Sequence, residues 1–185
     1  MRLDLGKTPL IYPQPVLVIG TYNEDGTPDA MTAAWGAVGD DTQVFLCLSP
    51  GHKTVENILR DKQFTVSMGT LDTLEACDYV GIDSGNKVPD KIKKSGLTPV
   101  KAEKVNAPYF EQLPLALECE LISYEPEHCH LFGEIVATDV DESIMTDGKV
   151  DPAKLRAISF DISNRAYLLV GEKVGDAFKD GLKLR

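Results

Sequence analysis

A chain of 185 residues with 43% hydrophobic and 26% charged side chains has room for one folded domain with a real core, and its composition is not that of a disordered polypeptide. Its formal net charge of -10 argues against docking on nucleic acid or an anionic membrane, since both depend on clustered Lys and Arg. No apolar run approaches the ~18 residues of a membrane span, and MRLDLGKTPLIYPQP carries acid and proline early where a secretion signal has an unbroken apolar stretch, so the expected location is the cytoplasm.

In chain order, PVLVIGTYNEDGTPDAMTAAW reads as a hairpin: an apolar run to Tyr22, a turn at NEDG, and a return through residues 29–36. The returning strand is thin, offering Ala30, Thr32, Ala33 and Ala34 before Trp35, the chain's only tryptophan. Two readings stand side by side. Small residues suit a closely packed helix, and they equally let a flat ligand lie against backbone N–H and C=O groups, with Thr32 adding a hydroxyl. TQVFLCLS is the next strand, bounded by Asp40-Asp41 and Ser49-Pro50-Gly51. KTVENILRD then has helical spacing, with Val55, Ile58 and Leu59 on one side. SPGHKT, residues 49–54, joins the strand end to the helix start: either a cap with a solvated lysine, or an anion site in which helix N–H groups are reinforced by Lys53.

FTVSMG returns to strand, TLDTLEACDYVG carries a helical stripe of Leu71, Leu74 and Val80, and SGNKVPDKIKKSGLTPV is loop with a short basic helix around Ile92. LALECELISYE alternates Leu117, Cys119 and Leu121 against Glu118 and Glu120, the pattern of a strand with one wet face, and HCHLFGEIVATDV is its antiparallel partner. ESIMTDGKVDPAKL is a connecting loop, AISFDI a short strand, and from about residue 171 the chain is a Gly-rich tail on a single domain spanning 1–185. Many short strands with helices between them point to a small antiparallel barrel, mainly β with added helices.

Several chemistries lack their signatures. There is no P-loop, no G-x-G-x-x-G joining a strand to a helix, and no arguable Ser-His-Asp or Cys-His arrangement. His128 and His130 would share a strand face as half of a zinc site, but no third ligand is evident nearby and no metal is expected. Cys47, Cys77, Cys119 and Cys129 form no C-x-x-C pair and read as buried free thiols in a reducing compartment. Asp78, Tyr79 and Tyr167 read as polar residues of a helix surface or core edge.

Taken in order, PVLVIGTYNEDGTPDAMTAAW, LSPGHKT, DYVGIDSGNKVPDK with GLTP, APYFEQLPLALECEL and HCHLFGEIV resemble the flavin reductase-like family of FMN-binding split barrels, its flavoredoxin-like members in particular, from about Pro15 to Tyr167. The resemblance implies a six-stranded antiparallel split β-barrel, a homodimer, noncovalent FMN near the subunit interface, and an NAD(P)H-dependent FMN oxidoreductase. In that activity NAD(P)H is a transient co-substrate, and electrons pass on to free flavin, a metal complex or a redox partner protein. It places Ala30, Met31, Thr32, Ala33, Ala34 and Trp35 along the flavin ring. The segment containing Ser49, Gly51, His52, Lys53 and Thr54 would hold the phosphate, Lys91 matches a recurrent lysine, and His128 stands on the nicotinamide side. PEH replaces the family's Gly-Asp-His before Gly133, which bears on nicotinamide use; an FMN electron carrier and a non-catalytic flavin module are the alternatives.

Overall fold

The computed structural model describes residues 1–185. The first half supplies β1 (Gln14–Pro15), β2 (Leu17–Tyr22), β3 (Pro28–Ala33), β4 (Gly36–Asp40), β5 (Gln43–Cys47), α1 (Lys53–Asp61), β6 (Gln63–Met68), α2 (Leu74–Ile82) and α3 (Lys91–Ser95). The second half supplies β7 (Pro99–Lys101), β8 (Pro108–Phe110), β9 (Leu115–Glu125), β10 (His130–Val140), β11 (Met145–Thr146), β12 (Lys149–Val150), α4 (Pro152–Leu155), β13 (Ile158–Asp161) and β14 (Ala166–Leu169). One antiparallel sheet of seven strands, in the order β3-β2-β6-β9-β10-β5-β4, dominates. Register shifts in the β9–β10 pair, at Phe132/Gly133 and Ile135/Ala137, bend it into a half-barrel, because each extra residue kinks its strand and adds twist. At the first of these a Cβ on Gly133 would lie 2.5 Å from Phe64 Cζ, so only glycine lets β10 pass this close to the core phenylalanine.

The mainly β architecture with added helices is as expected, with seven strands rather than six. The reason lies at Ala34-Trp35, where pairing with β2 stops at Ala33 and the chain swings across to pair with β5 from Gly36. What reads as one returning strand is therefore two. Strand β2 is buried on both faces: Leu17 and Ile19 enter a core with Leu46, Phe64 and Leu131, while Val16 just before it and Val18 join Cys77, Val80, Ile92 and Phe110 beneath α2 and α3. A second sheet, β1-β13-β14, packs at the edge of this outer core through Ile158, Phe160 and Tyr167. The segment ESIMTDGKVDPAKL is more than a loop, since it folds the β11–β12 ribbon and α4. No helix is long and apolar enough to cross a membrane.

The wet face expected on β9 fails at Glu118, which is 1% exposed. Its carboxylate accepts N–H bonds from Glu103 (3.2 Å), Lys104 (2.6 Å) and Val105 (3.0 Å), pinning the loop between β7 and β8 over the sheet. Three charge-assisted bonds offset the desolvation of the ion. Asp139 on β10 lies alongside, its Oδ2 buried without a conventional hydrogen-bond partner. Burial, and then the contact with Glu118, push the Asp139 carboxyl above the usual carboxylate range.

A raised folded-state pKa contributes stability that is complete below the ordinary carboxylate range and is lost as pH rises through the raised value. Asp139→Asn removes that loss while keeping a donor toward Glu118. The variant is therefore expected to gain stability relative to the unmodified protein between about pH 4 and about pH 7, by something on the order of 1 kcal/mol after allowance for solvent at Asp139. Urea denaturation at both pH values measures it; a difference between the two proteins that does not change with pH refutes the upward shift of the Asp139 carboxyl.

Candidate functional site

A cavity of about 410 Å³ opens where the far end of β3, the end of β5 and the start of α1 face α2 and the loop after it. Met31, Thr32, Ala33, Ala34, Trp35, Ser49, His52, Lys53, Thr54 and Lys91 all border it, so segments expected to act together from separate parts of the chain do converge. Three expected residues do not line it. Ala30 is fully buried and packs with Cys77 and Val80 in the outer core. Gly51 is exposed, its φ of 88° makes the tight turn before α1, and its carbonyl accepts a bond from Asn86 Nδ2 at 3.2 Å. His128 sits exposed in the β9–β10 turn.

The thin strand has two causes, one for each part. Thr32 Oγ1 donates to the Cys77 carbonyl of α2, and a Cβ on Gly81 would stand 3.1 Å from Thr32 Cβ. Helix packing thus accounts for Ala30 and Thr32, and the threonine hydroxyl is committed to the helix rather than aimed at a ligand. Beyond α2's reach, Ala33 and half-buried Ala34 leave backbone beside open space. Trp35, 45% exposed, closes that end and meets Phe160 at 6.4 Å between ring centroids.

The opposite end carries the start of α1 and a lysine. Helix α1 begins at an N-cap residue, His52, in extended conformation with no side-chain cap, so neither Ser49 nor Thr54 serves as the cap that SPGHKT suggests. The first-turn N–H groups of α1 are therefore available to an anion, and the helix dipole favours one there. Lys53 stands beside them, held loosely by an exposed ion pair with Glu56 at 3.3 Å. Thr54 instead turns inward, its hydroxyl donating to Asp29 Oδ2 at 2.7 Å.

Asp29 is the hub behind the cavity. It is 2% exposed, and Lys91 Nζ lies 3.6 Å from its Oδ1 while donating to the carbonyls of Val80 (3.3 Å) and Asp83 (2.9 Å). Burial pulls the Lys91 pKa down, and Asp29 pulls part of it back. The backbone of Gly85 runs against the same carboxylate, where a Cβ would collide with Oδ1. Sequence reading gives no sign of Asp29, because the residues it joins are remote along the chain.

Asp78 and Tyr167, which look unrelated in the sequence, are a pair: the Tyr167 hydroxyl donates to Asp78 Oδ1 at 2.7 Å, and both face the cavity. Burial first, then this bond, raise the Tyr167 pKa. Ser84, Gly85 and Phe160 also line the cavity. The repeated small residues of IDSG are the only local hint of the first two. Tyr79 lies outside it. His128 and His130 lie 5.6 Å apart between ring centroids with their planes tilted by 34°, and no group of three or more His, Cys, Asp or Glu side chains is arranged to hold a metal ion. All four cysteines are free thiols; Cys77 and Cys119 are buried, Cys47 and Cys129 only partly so.

A family model described as flavin reductase like domain matches residues 10–153. Among solved structures, the flavoredoxin of Desulfovibrio vulgaris (Miyazaki F) superposes with a TM-score of 0.94 at 36% identity, covering 98% of this chain and 100% of that one. Flavoredoxin from Methanosarcina acetivorans gives 0.89 at 26% identity with 100% of both chains covered. Nitrilotriacetate monooxygenase component B from Bacillus cereus shares the fold, with a TM-score of 0.78 at 16% identity over 95% of this chain and 98% of that one. A relative known only as uncharacterized protein YdfE, from Bacillus subtilis (strain 168), is 25% identical over 92% of this chain and 90% of its own length.

Removing one member of a buried ion pair strands its partner. Asp29→Ala is expected to cost about 3–5 kcal/mol, because Lys91 then keeps a buried charge with only carbonyl partners. Asp29→Ala combined with Lys91→Met should recover much of that loss. Denaturation midpoints measure both, and a single variant within about 0.5 kcal/mol of the unmodified protein removes Asp29 from its structural role.

Proposed function

The chain belongs to the flavin reductase-like family, and from that membership we propose that it is an FMN-dependent oxidoreductase. It holds FMN noncovalently in the 410 Å³ cavity, takes hydride from a reduced nicotinamide, and passes electrons to free flavin, a metal complex or a partner protein. One observation supports the reading above the rest: a slot walled by the small residues Ala33 and Ala34 runs into an uncapped helix N-terminus flanked by a lysine. That is the shape and charge of a planar ring with an anionic tail, and the volume is that of a site for one such ligand.

When bound, FMN supplies the redox chemistry, so the chain needs no general base. What the residues do is hold and exclude. Ser49, Lys53 and the first-turn N–H groups of α1 take the phosphate; Thr54 contributes only as an acceptor, its proton being given to Asp29. Ala33 and Ala34 present backbone groups to the ring edge, and Trp35 limits how far the ring slides. Lys91, anchored by Asp29 and two carbonyls, would give the cavity wall a fixed N–H donor toward the cofactor.

A second reading, an FMN electron carrier reduced by another protein, is favoured by His128, which does not reach the cavity of its own chain. Either reading carries the proposal of a homodimer in the cytoplasm. It draws support from an apolar trough of about 370 Å³ lined by Leu17, Val38, Met68, Leu117 and Ile135, and from Val38 and Ile122, 80% and 49% exposed.

Anaerobic titration decides between the readings. Stoichiometric FMN binding followed by bleaching with NADH or NADPH is the outcome expected of the oxidoreductase; bleaching by dithionite alone identifies the carrier; no FMN binding ends both. Lys53→Ala is expected to weaken FMN by about 1–2 kcal/mol. Ala34→Leu should abolish binding with less than about 1 kcal/mol lost from folding, since it fills ring space rather than core. Sedimentation should give twice the chain mass of 20.2 kDa, and a single 20.2 kDa species at micromolar concentrations rules out the dimer.

A further inference from the structure

The cavity has room for one ligand of flavin size, so a second reactant must meet that ligand at the mouth. The mouth is aromatic. Trp35, Phe160 and Tyr167 form a continuous row, with ring centroids 6.4 Å apart and planes tilted by 48° for the first pair, 6.0 Å and 57° for the second, and all three line the cavity. Phe160 and Tyr167 are direct cross-strand partners on β13 and β14, so their spacing is set by a backbone ladder and not by loop packing.

This hairpin is fixed from several sides. Asp161 accepts from Ser163 N (2.9 Å), Asn164 N (3.3 Å) and Asn164 Nδ2 (2.6 Å), and also from the Tyr12 hydroxyl. Gln14 of β1 pairs with Phe160, and Ile158 N donates to the Gly69 carbonyl at 3.1 Å. Asp78 then holds the Tyr167 hydroxyl at 2.7 Å, which sets the tilt of the last ring. All of β13 and β14 lies beyond residue 153, outside the stretch that matches the family model. The phosphate end and ring slot come from the matched stretch, whereas Phe160 and Tyr167 of the aromatic rim come from the C-terminal residues beyond it.

The geometry points to β13–β14 as the element that selects the second reactant: Phe160 and Tyr167, with Trp35, form a platform on which a second planar aromatic ring stacks against the occupied cavity, and Asp78 is its positioning residue. This rests on the flavin reading. Stacked and edge-on aromatic contacts recognise a π-face and tolerate its substituents, so the platform suits either a free flavin or a nicotinamide ring.

The test is a calorimetric titration of oxidised, FMN-loaded protein with riboflavin and, separately, with NAD+, neither of which turns over under those conditions. The unmodified protein should bind at least one probe, and which one identifies the ring. Phe160→Leu and Tyr167→Leu should each weaken that probe about tenfold. Phe160→Tyr should stay within about threefold, because an aromatic face is retained. Tyr167→Phe and Asp78→Ala should weaken it about threefold, by the same factor and without further loss when combined, since each removes the one bond between them. FMN affinity, measured first on every variant, should move less than about twofold. Loss of FMN affinity in parallel with probe affinity overturns the proposal by making the rim part of the cofactor wall. So does leucine performing as well as an aromatic, or an FMN-loaded protein that binds neither probe. Failure of the flavin reading itself appears earlier and separately, as an unmodified protein that takes up no FMN.

Discussion

One buried carboxylate holds the site together. Asp29 stands on β3, Thr54 in the first turn of α1 and Lys91 at the start of α3, and the three side chains meet out of water. Lys91 in turn binds the carbonyls of Val80 and Asp83 at the end of α2. Four elements, three of which already share the outer apolar core, are thereby tied together behind the cavity, which is the space left among them. Such a junction is costly to bury and worth having only where geometry matters more than stability. Its position fits that account, since relaxing it would let α1 drift from the strand whose backbone it faces.

The same local logic explains how an acidic protein can hold an anion. A net charge of -10 acts over the whole surface and is screened within about 8–10 Å at ordinary ionic strength. The helix terminus and Lys53 act at contact distance, where screening has little purchase. Glu56 tempers Lys53 through an ion pair that stays open to solvent, and an exposed pair of this kind costs little to break. A site of this kind is tuned by a few groups at short range and not by the sum over the chain.

Patterns that live within a few residues were legible in the sequence. Helix α1 begins and ends where KTVENILRD says it should, β9 and β10 pair antiparallel as their alternation requires, and the thin strand does end beside the segment 49–54. What escaped depends on partners remote in the chain. Glu118 looks solvated because its neighbours alternate, yet three N–H groups from the loop after β7 bury it. His128 looks like a strand residue, but Cys129 adopts a φ of 60° and turns the chain before β10 begins. Phe160 and Tyr167 acquire their meaning only when β13 and β14 pair, and Ala30 loses its proposed role because α2 covers it. The recognisable family pattern reached the segments 31–35 and 49–54 that border the cavity; the tertiary hydrogen bonds that shape it could not be read from that pattern.

Trp35 is the chain's only tryptophan, and it borders the cavity with nearly half of its surface exposed. Indole emission from this protein therefore arises at a single place, the wall of the cavity. A flavin in the slot would quench it by energy transfer, and a ring arriving on Phe160 would perturb it by contact. The fold has, without any label, put an optical reporter at its own doorway, so occupancy can be followed in real time in dilute solution by light alone.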